Sequence, residues 1–116
     1  MLAKNNRLNT DLEIKRLIRS GKTFFLPQLT FKYSANQDKD IKIGFIVSNK
    51  VDKRATKRNL LKRRLREANR SFLKDLKPGY NLLIIAKKSA LDLSFVELKK
   101  QIEFAYNQIR LLNKKS

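Results

Sequence analysis

Between Lys50 and Arg70 the chain carries ten basic residues in 21 positions: Lys50, Lys53, Arg54, Lys57, Arg58, Lys62, Arg63, Arg64, Arg66 and Arg70. The acids in that stretch are Asp52 and Glu67 alone. The chemistry open to such a run is recognition of a polyanion. Guanidinium suits phosphate in particular, because its planar fork donates hydrogen bonds in pairs. On a helical wheel Asn59, Lys62, Arg63, Arg66 and Arg70 fall on one arc, while Leu61, Leu65, Ala68, Phe72 and Leu76 share a narrow apolar arc. Arg58 lies between the two arcs, and Lys57 and Arg64 sit on the far side. One face would therefore anchor the helix while another presents a comb of cations. The like-charge pairs Lys62/Arg66 and Arg66/Arg70 repel each other by about a few tenths of a kcal/mol each. A merely solvated face usually mixes signs, and this one scarcely does.

Catalytic chemistry finds no comparable support. The chain has no His and no Cys, which removes disulfides, thiolate and imidazole metal sites, and the commonest general base. The acids are scattered through loops and helix ends, with no cluster resembling a two-metal nuclease. Asp38 and Asp40 read as a solvated loop. Glu67 reads as a charge partner within the basic helix. Ser48, Ser71 and Ser94 have no His to activate them and no nucleophile-elbow motif. Phe24 and Phe25 read as core or edge packing in preference to a base-stacking platform. The expectation is thus no catalytic residue, no metal ligand and no cofactor held by this chain.

The whole sequence agrees with a polyanion partner. Lys and Arg number 28 against 10 Asp and Glu, a net charge of +18 in 116 residues. The longest strongly apolar run, Leu82 to Ala86, is far too short to span a bilayer. Met1 to Thr10 lacks the apolar stretch of a secretion signal. No membrane partner is expected, and the protein is expected to be cytoplasmic. No obligate protein partner is indicated.

The elements that must position the basic run follow from periodicity. Residues 1–116 read as a single domain with frayed ends at Met1–Asn6 and Asn113–Ser116. Asp11 is placed to cap a short helix to about Ser20, ended by Gly21, with Ile14, Leu17 and Ile18 on one face. Thr23 to Leu26 is extended, and Pro27 breaks it. Leu29, Phe31 and Tyr33 alternate with polar residues as a half-buried strand does. Ser34 to Asp40 reads as a loop, and a further strand runs from Ile41 to about Ser48. The basic helix is expected over Thr56 to Leu76, before the Pro78-Gly79 turn. Tyr80 to Ala86 reads as an interior strand covered on both faces. Ser94 and Glu97 form a capping box for a last helix with Leu98, Ile102, Ala105, Ile109 and Leu112 as its core stripe. The order is α-β-β-β-α-β-α, an α+β arrangement of one sheet packed with helices.

On these residues the chain resembles a known family. Ser48-Asn49-Lys50-Val51 runs into Arg54-Ala55-Thr56-Lys57-Arg58-Asn59, followed by Lys62-Arg63 and Arg66-Glu67. Asn6-Arg7-Leu8, Arg19-Ser20-Gly21-Lys22, Gly79-Tyr80 and Ile85-Ala86-Lys87 add matches in the same order across nearly the whole chain. The pattern resembles the protein subunit of bacterial ribonuclease P. That resemblance implies a left-handed βαβ crossover, which general rules would not suggest. It implies work as the accessory subunit of a ribonucleoprotein that removes the 5′ leader of precursor tRNA. In the family, an RNA subunit holds the catalytic Mg²⁺, and the protein binds the leader and stabilises the active RNA. The partners implied are ribonuclease P RNA and the precursor tRNA leader. The RNA-binding positions implied are Lys50, Lys53, Arg54, Lys57, Arg58, Asn59, Lys62, Arg63, Arg66 and Arg70. Those implied for a leader-binding cleft are Arg7, Ile14, Ile18, Lys32, Ile46 and Ser48. Two departures from the family matter. Leu60 stands where Arg is usual, interrupting the comb. Ile14 and Ile18 stand where Phe is usual, and aliphatic side chains stack bases less well than rings do. Composition alone leaves a second class open, a non-enzymatic RNA-binding structural protein such as a ribosomal protein.

Overall fold

A computed structural model describes residues 7–8, 11–36 and 40–112. Its elements are α1 (Asp11–Ser20), β1 (Lys22–Phe25), β2 (Leu29–Ala35), β3 (Lys42–Ile46), α2 (Ala55–Arg70), β4 (Tyr80–Ala86) and α3 (Phe95–Gln108). Short 3₁₀ turns at Leu73–Asp75 and Lys88–Asp92 fill two connections. The expected order of helices and strands holds throughout. The polar ends read as frayed and the acid Asp38 lie outside the described residues.

The four strands form one sheet in the order β1-β2-β4-β3. β1 and β2 form an antiparallel hairpin, β4 runs antiparallel to β2, and β3 runs parallel to β4. β3 and β4 are therefore parallel neighbours joined through α2, the crossover to which the family resemblance assigns a left hand. β4 is central, and Leu82, Leu83 and Ile84 are all fully buried. This is why the segment reads as an unbroken apolar run without alternation.

Each sheet face has its own apolar cluster. Leu29, Phe31, Ile43, Leu82 and Ile84 pack with Leu61, Leu65 and Ala68 of α2 and Leu98, Ile102 and Tyr106 of α3. On the opposite face a smaller cluster joins Leu8, Leu17 of α1 and Leu83, flanked by Ile14, Ile46 and Ile85. α1 is thus the single described helix on that face, and it covers only part of it. Asp11 and Glu13 in its first turn and Arg19 in its last complement the helix dipole. Gly21 ends it through an N–H donated to the Leu17 carbonyl at 2.8 Å. A Cβ at position 21 would lie 2.5 Å from that same oxygen, so only glycine permits the close turn into β1.

Several boundaries differ from the sequence reading; the first strand runs Lys22–Phe25, one residue earlier at each end. The second strand reaches Ala35 and the third is shorter, Lys42–Ile46. The basic helix stops at Arg70 instead of Leu76. The Ser71 hydroxyl donates to the Ala68 carbonyl, and the N–H groups of Ser71 and Phe72 both turn back to Asn69. Side-chain competition of this kind is a common helix terminator. The following 3₁₀ turn still returns Phe72 and Leu76 to the core, so the apolar spacing remains informative although the helix has ended. The capping box of α3 forms as read: Ser94 Oγ accepts from the Glu97 N–H, and the Glu97 carboxylate accepts from the Ser94 N–H. Those bonds hold the Glu97 carboxyl below its usual pKa. The α3 stripe packs as read, with Ile109 and Leu112 still against the core after the helix ends at Gln108. Leu98, Ile102 and Ala105 are buried, Ile109 caps the helix, and fully buried Tyr106 takes a place the stripe did not include.

Candidate RNA interface

The approach to α2 is a tightly built loop. Val51 is 2 % exposed and plugs the loop into the core, with its N–H donated to the Ser48 carbonyl. Asp52 follows, and its carboxylate does three things. Oδ1 accepts the Arg54 backbone N–H at 2.8 Å and Arg54 Nε at 3.1 Å, while Oδ2 accepts Arg54 Nη2 at 2.9 Å. The side-chain bond from Arg54, helped by its backbone N–H, lowers the Asp52 pKa to about 2. Arg54 is the N-cap residue of α2 and has no side-chain cap bond of its own. The carboxylate two residues earlier accepts the N–H of this N-cap residue and so fixes the chain at the helix entrance.

Arg58 locks this loop onto the helix. Its Nη1 donates to the carbonyls of Asp52 at 2.9 Å and Lys53 at 2.8 Å. The sequence placed Arg58 between the apolar and basic arcs, and the structure shows the consequence: it reaches the backbone at the helix entrance. Beyond it the comb stands as the wheel implies. Asn59, Arg63 and Arg70 are exposed, and Lys62 and Arg66 are half-buried. Arg70 makes a long pair with Glu67, 3.8 Å apart and largely exposed, so Glu67 does act as a local charge partner.

Leu60 requires a correction. It does not interrupt the comb. It faces the other flank of α2, where it lines a recess with Lys57, Leu61, Arg64, Leu91 and Asp92. The reason is rotation: one residue along a helix turns about 100°, which carries position 60 away from the arc of 59, 63 and 66. A cationic recess that the sequence did not single out lies at the loop itself. Asn49, Lys50, Val51, Asp52, Lys53 and Arg54 line it together with Lys88 from the 3₁₀ turn after β4. Lys88 is remote in sequence from the basic run, so no local pattern could have assigned it there.

Of the residues expected at a leader cleft, Lys32 and Ile46 lie on the sheet face that α1 partly covers, and Ile14 packs against it. Strand register puts Phe25, Thr30, Ile85 and Ile46 in one row across the sheet, and Thr23, Lys32, Leu83 and Gly44 in the next. Ile14 packs with Ile46 and Ile85 around the small cluster, whereas Ile18 is exposed. Arg7 is exposed and bridges to Ile43 through the backbone, and the Leu8 N–H bonds the Ile43 carbonyl at 3.0 Å. Ser48 is exposed just beyond β3, between the end of this cleft and the basic loop. Thr30 and Ile85 share this face of the sheet with Lys32 and Ile46, although the sequence reading did not include them. Phe24 and Phe25 take different roles. Phe24 packs against Phe31 and Phe104, whereas Phe25 is exposed.

Among the described residues no three Asp, Glu, His or Cys come together in a way that could hold a metal ion. Asp40 takes part through its backbone, accepting from Gly79 N–H and from Asn36 Nδ2. No described helix is long and apolar enough to cross a membrane.

The arrangement of sheet and helices has counterparts among known proteins. The family model for ribonuclease P matches residues 2–110. The chain belongs to the ribonuclease P protein family. The ribonuclease P protein component of Bacillus velezensis is 32% identical over 99% of this chain and 98% of that one. That of a Picosynechococcus species is 30% identical over 88% of each chain. In three dimensions, the RNase P protein of Staphylococcus aureus superposes with a TM-score of 0.84 at 20% identity, covering 93% of this chain and 98% of the other. The fold is thus that of the ribonuclease P proteins, and the ribosomal-protein alternative loses its support.

Proposed function

We propose that this chain, acting as one domain over residues 1–116, is the protein subunit of a ribonuclease P ribonucleoprotein in the cytoplasm. It assists a catalytic RNA in removing the 5′ leader from precursor tRNA. The observation that carries the reading is the joining of two surfaces at one loop. The basic face of α2, with Lys50, Lys53 and Arg54 at its entrance, suits the phosphates of a folded RNA. The apolar cleft between α1 and the sheet suits an extended single strand. Ser48 to Arg54 connects them, so one protein would touch catalytic RNA and leader together. In this reading Asn59, Lys62, Arg63, Arg66 and Arg70 contact RNA directly, with Lys57 at their margin. Arg58 both contacts RNA and holds the loop. Arg7, Ile14, Ile18, Lys32, Ile46 and Ser48 line the leader path.

The phosphodiester chemistry falls to Mg²⁺ held by the RNA subunit. The protein's part is positional: it lowers the Mg²⁺ concentration at which the RNA is active and raises affinity for substrates that carry a leader. Reconstitution tests this. Adding the protein to a bacterial ribonuclease P RNA at low Mg²⁺ is expected to raise precursor-tRNA cleavage. No gain with an RNA that is active at high Mg²⁺ would sink the proposal.

A further inference from the structure

Unpaired nucleobases stack well on flat aromatic rings. The strand residues on the α1 side of the sheet are Thr23 and Phe25, Thr30, Lys32 and Ser34, Asn81, Leu83 and Ile85, and Lys42, Gly44 and Ile46. Only Phe25 among them is aromatic. Its side chain is 70 % exposed, the most exposed of the large apolar residues at β-strand positions. Register sets it beside Thr30, in the row that continues through Ile85 to Ile46 on the cleft floor.

The ring is held in a built environment. Lys87, directly after β4, lies 5.8 Å from the ring centroid and donates from Nζ to the Leu26 carbonyl at 2.9 Å. The Lys87 N–H donates to the Gln28 carbonyl, and Gln28 Oε1 accepts from Gln101 Nε2 at 2.7 Å. The β1–β2 turn that carries Phe25 is thereby tied to β4 and to α3. An ammonium at this distance favours the ring electrostatically. Together they offer a ring with a cation over one face, so that a base stacked on the other face would have its phosphate within reach of the ammonium.

We propose that Phe25, flanked by Lys87, is a specificity-determining residue that stacks one unpaired base of the precursor leader where it leaves the cleft across β2 toward β1. The inference rests on the ribonuclease P reading above and names the part of the leader path that reading leaves open. The bases engaged are single-stranded, because a paired base keeps its faces in its own stack.

The test uses the reconstituted holoenzyme and measures affinity for precursor tRNA with and without a leader. Phe25→Leu keeps apolar bulk and removes the flat ring, whereas Phe25→Tyr keeps the ring. Phe25→Leu is expected to weaken binding of the leader-bearing substrate by about tenfold, the scale of one base–aromatic stack. Leaderless tRNA should bind as before, and Phe25→Tyr should bind the leader like the parent. A scan of abasic sites along the leader should find one position where the abasic substitution and Phe25→Leu are not additive. Unchanged leader affinity in Phe25→Leu overturns the proposal while leaving the ribonuclease P reading intact. So does equal weakening with and without a leader, or additivity at every position. If the parent holoenzyme itself does not prefer leader-bearing substrate, leader binding by the protein fails, and this inference with it.

Discussion

Asp52 receives both ends of the Arg54 guanidinium fork, at 3.1 and 2.9 Å, and the Arg54 backbone N–H as well. The pair stands at the entrance to the basic helix, so Arg54 enters any RNA complex already engaged. That engagement holds the arginine in position and offsets part of its charge. In the free protein Arg54 thereby shapes the loop that carries Lys50 and Lys53.

The pair can be followed through Asp52. Its pKa falls from 3.8 to about 2 because Arg54 hydrogen-bonds the ionised form. A depressed carboxyl pKa adds stability above its unfolded value, and that stability is lost as pH falls through the folded value. The loop contact should therefore be complete above about pH 4 and weaken between about pH 4 and 2. The Asp52 carboxyl carbon resonance is expected to titrate near 2, and Arg54→Ala should move its midpoint toward 3.8. A midpoint already at the ordinary value in the parent would show that the bidentate pair does not persist in solution.

The seam between α2 and α3 holds a buried polar bond. Tyr106 Oη donates to Asn69 Oδ1, both side chains fully buried, and burial pushes the tyrosine hydroxyl pKa up. Tyr106→Phe would leave the buried amide oxygen without that donor, at a cost of about 1–3 kcal/mol. Pairing it with Asn69→Leu removes both polar partners and should recover much of the loss, because an apolar pair of similar shape avoids the desolvation penalty. Thermal or urea denaturation of the two single variants and the double checks this. Purely additive destabilisation would mean the bond contributes nothing specific.

Asn69 also shows where sequence reading reaches and where it stops. Elements with a distinct local signal were legible: the unbroken apolar run of the Tyr80–Ala86 strand, the Ser94–Glu97 box and the Leu61/Leu65/Ala68 stripe stand where the sequence put them. The comb was legible too, because a helix fixes which residues share a face. Asn69 was not, since a polar residue between Ala68 and Arg70 gives no local sign that α3 brings Tyr106 against it. Lys88 and Thr30 were missed for the same reason, as only the sheet register and the turn after β4 bring them to the site. Leu60 was misread because a family position was counted along the chain and not turned around the helix.

Arg58 and Arg63 should separate two ways of helping RNA binding. Arg63 is exposed, so Arg63→Ala is expected to leave stability unchanged. It should reduce the slope of log affinity against log salt by about one for a lost phosphate contact. Arg58 bonds the carbonyls of Asp52 and Lys53, so Arg58→Ala should weaken RNA binding and also destabilise the loop, by about 1 kcal/mol. Titrations of the RNA subunit at several salt concentrations, with melting curves beside them, distinguish the two. An unchanged slope for Arg63→Ala would place that side chain away from RNA.

Leu60 gives the last contrast. The family usually has Arg there, which makes Leu60→Arg look like the repair of a missing contact. The structure argues otherwise: Leu60 is half-buried against the recess of Leu91 and Asp92, flanked by Lys57 and Arg64, on the side of α2 away from Asn59, Arg63 and Arg66. An arginine introduced there would lose apolar contact with Leu91, and its guanidinium could pair with Asp92. The expected outcome is a salt slope equal to the parent's, with a modest fall in stability. A steeper slope, by about one unit, would show that the flank of α2 facing Leu91 also meets phosphate and that the RNA footprint wraps further around the helix than the comb alone implies.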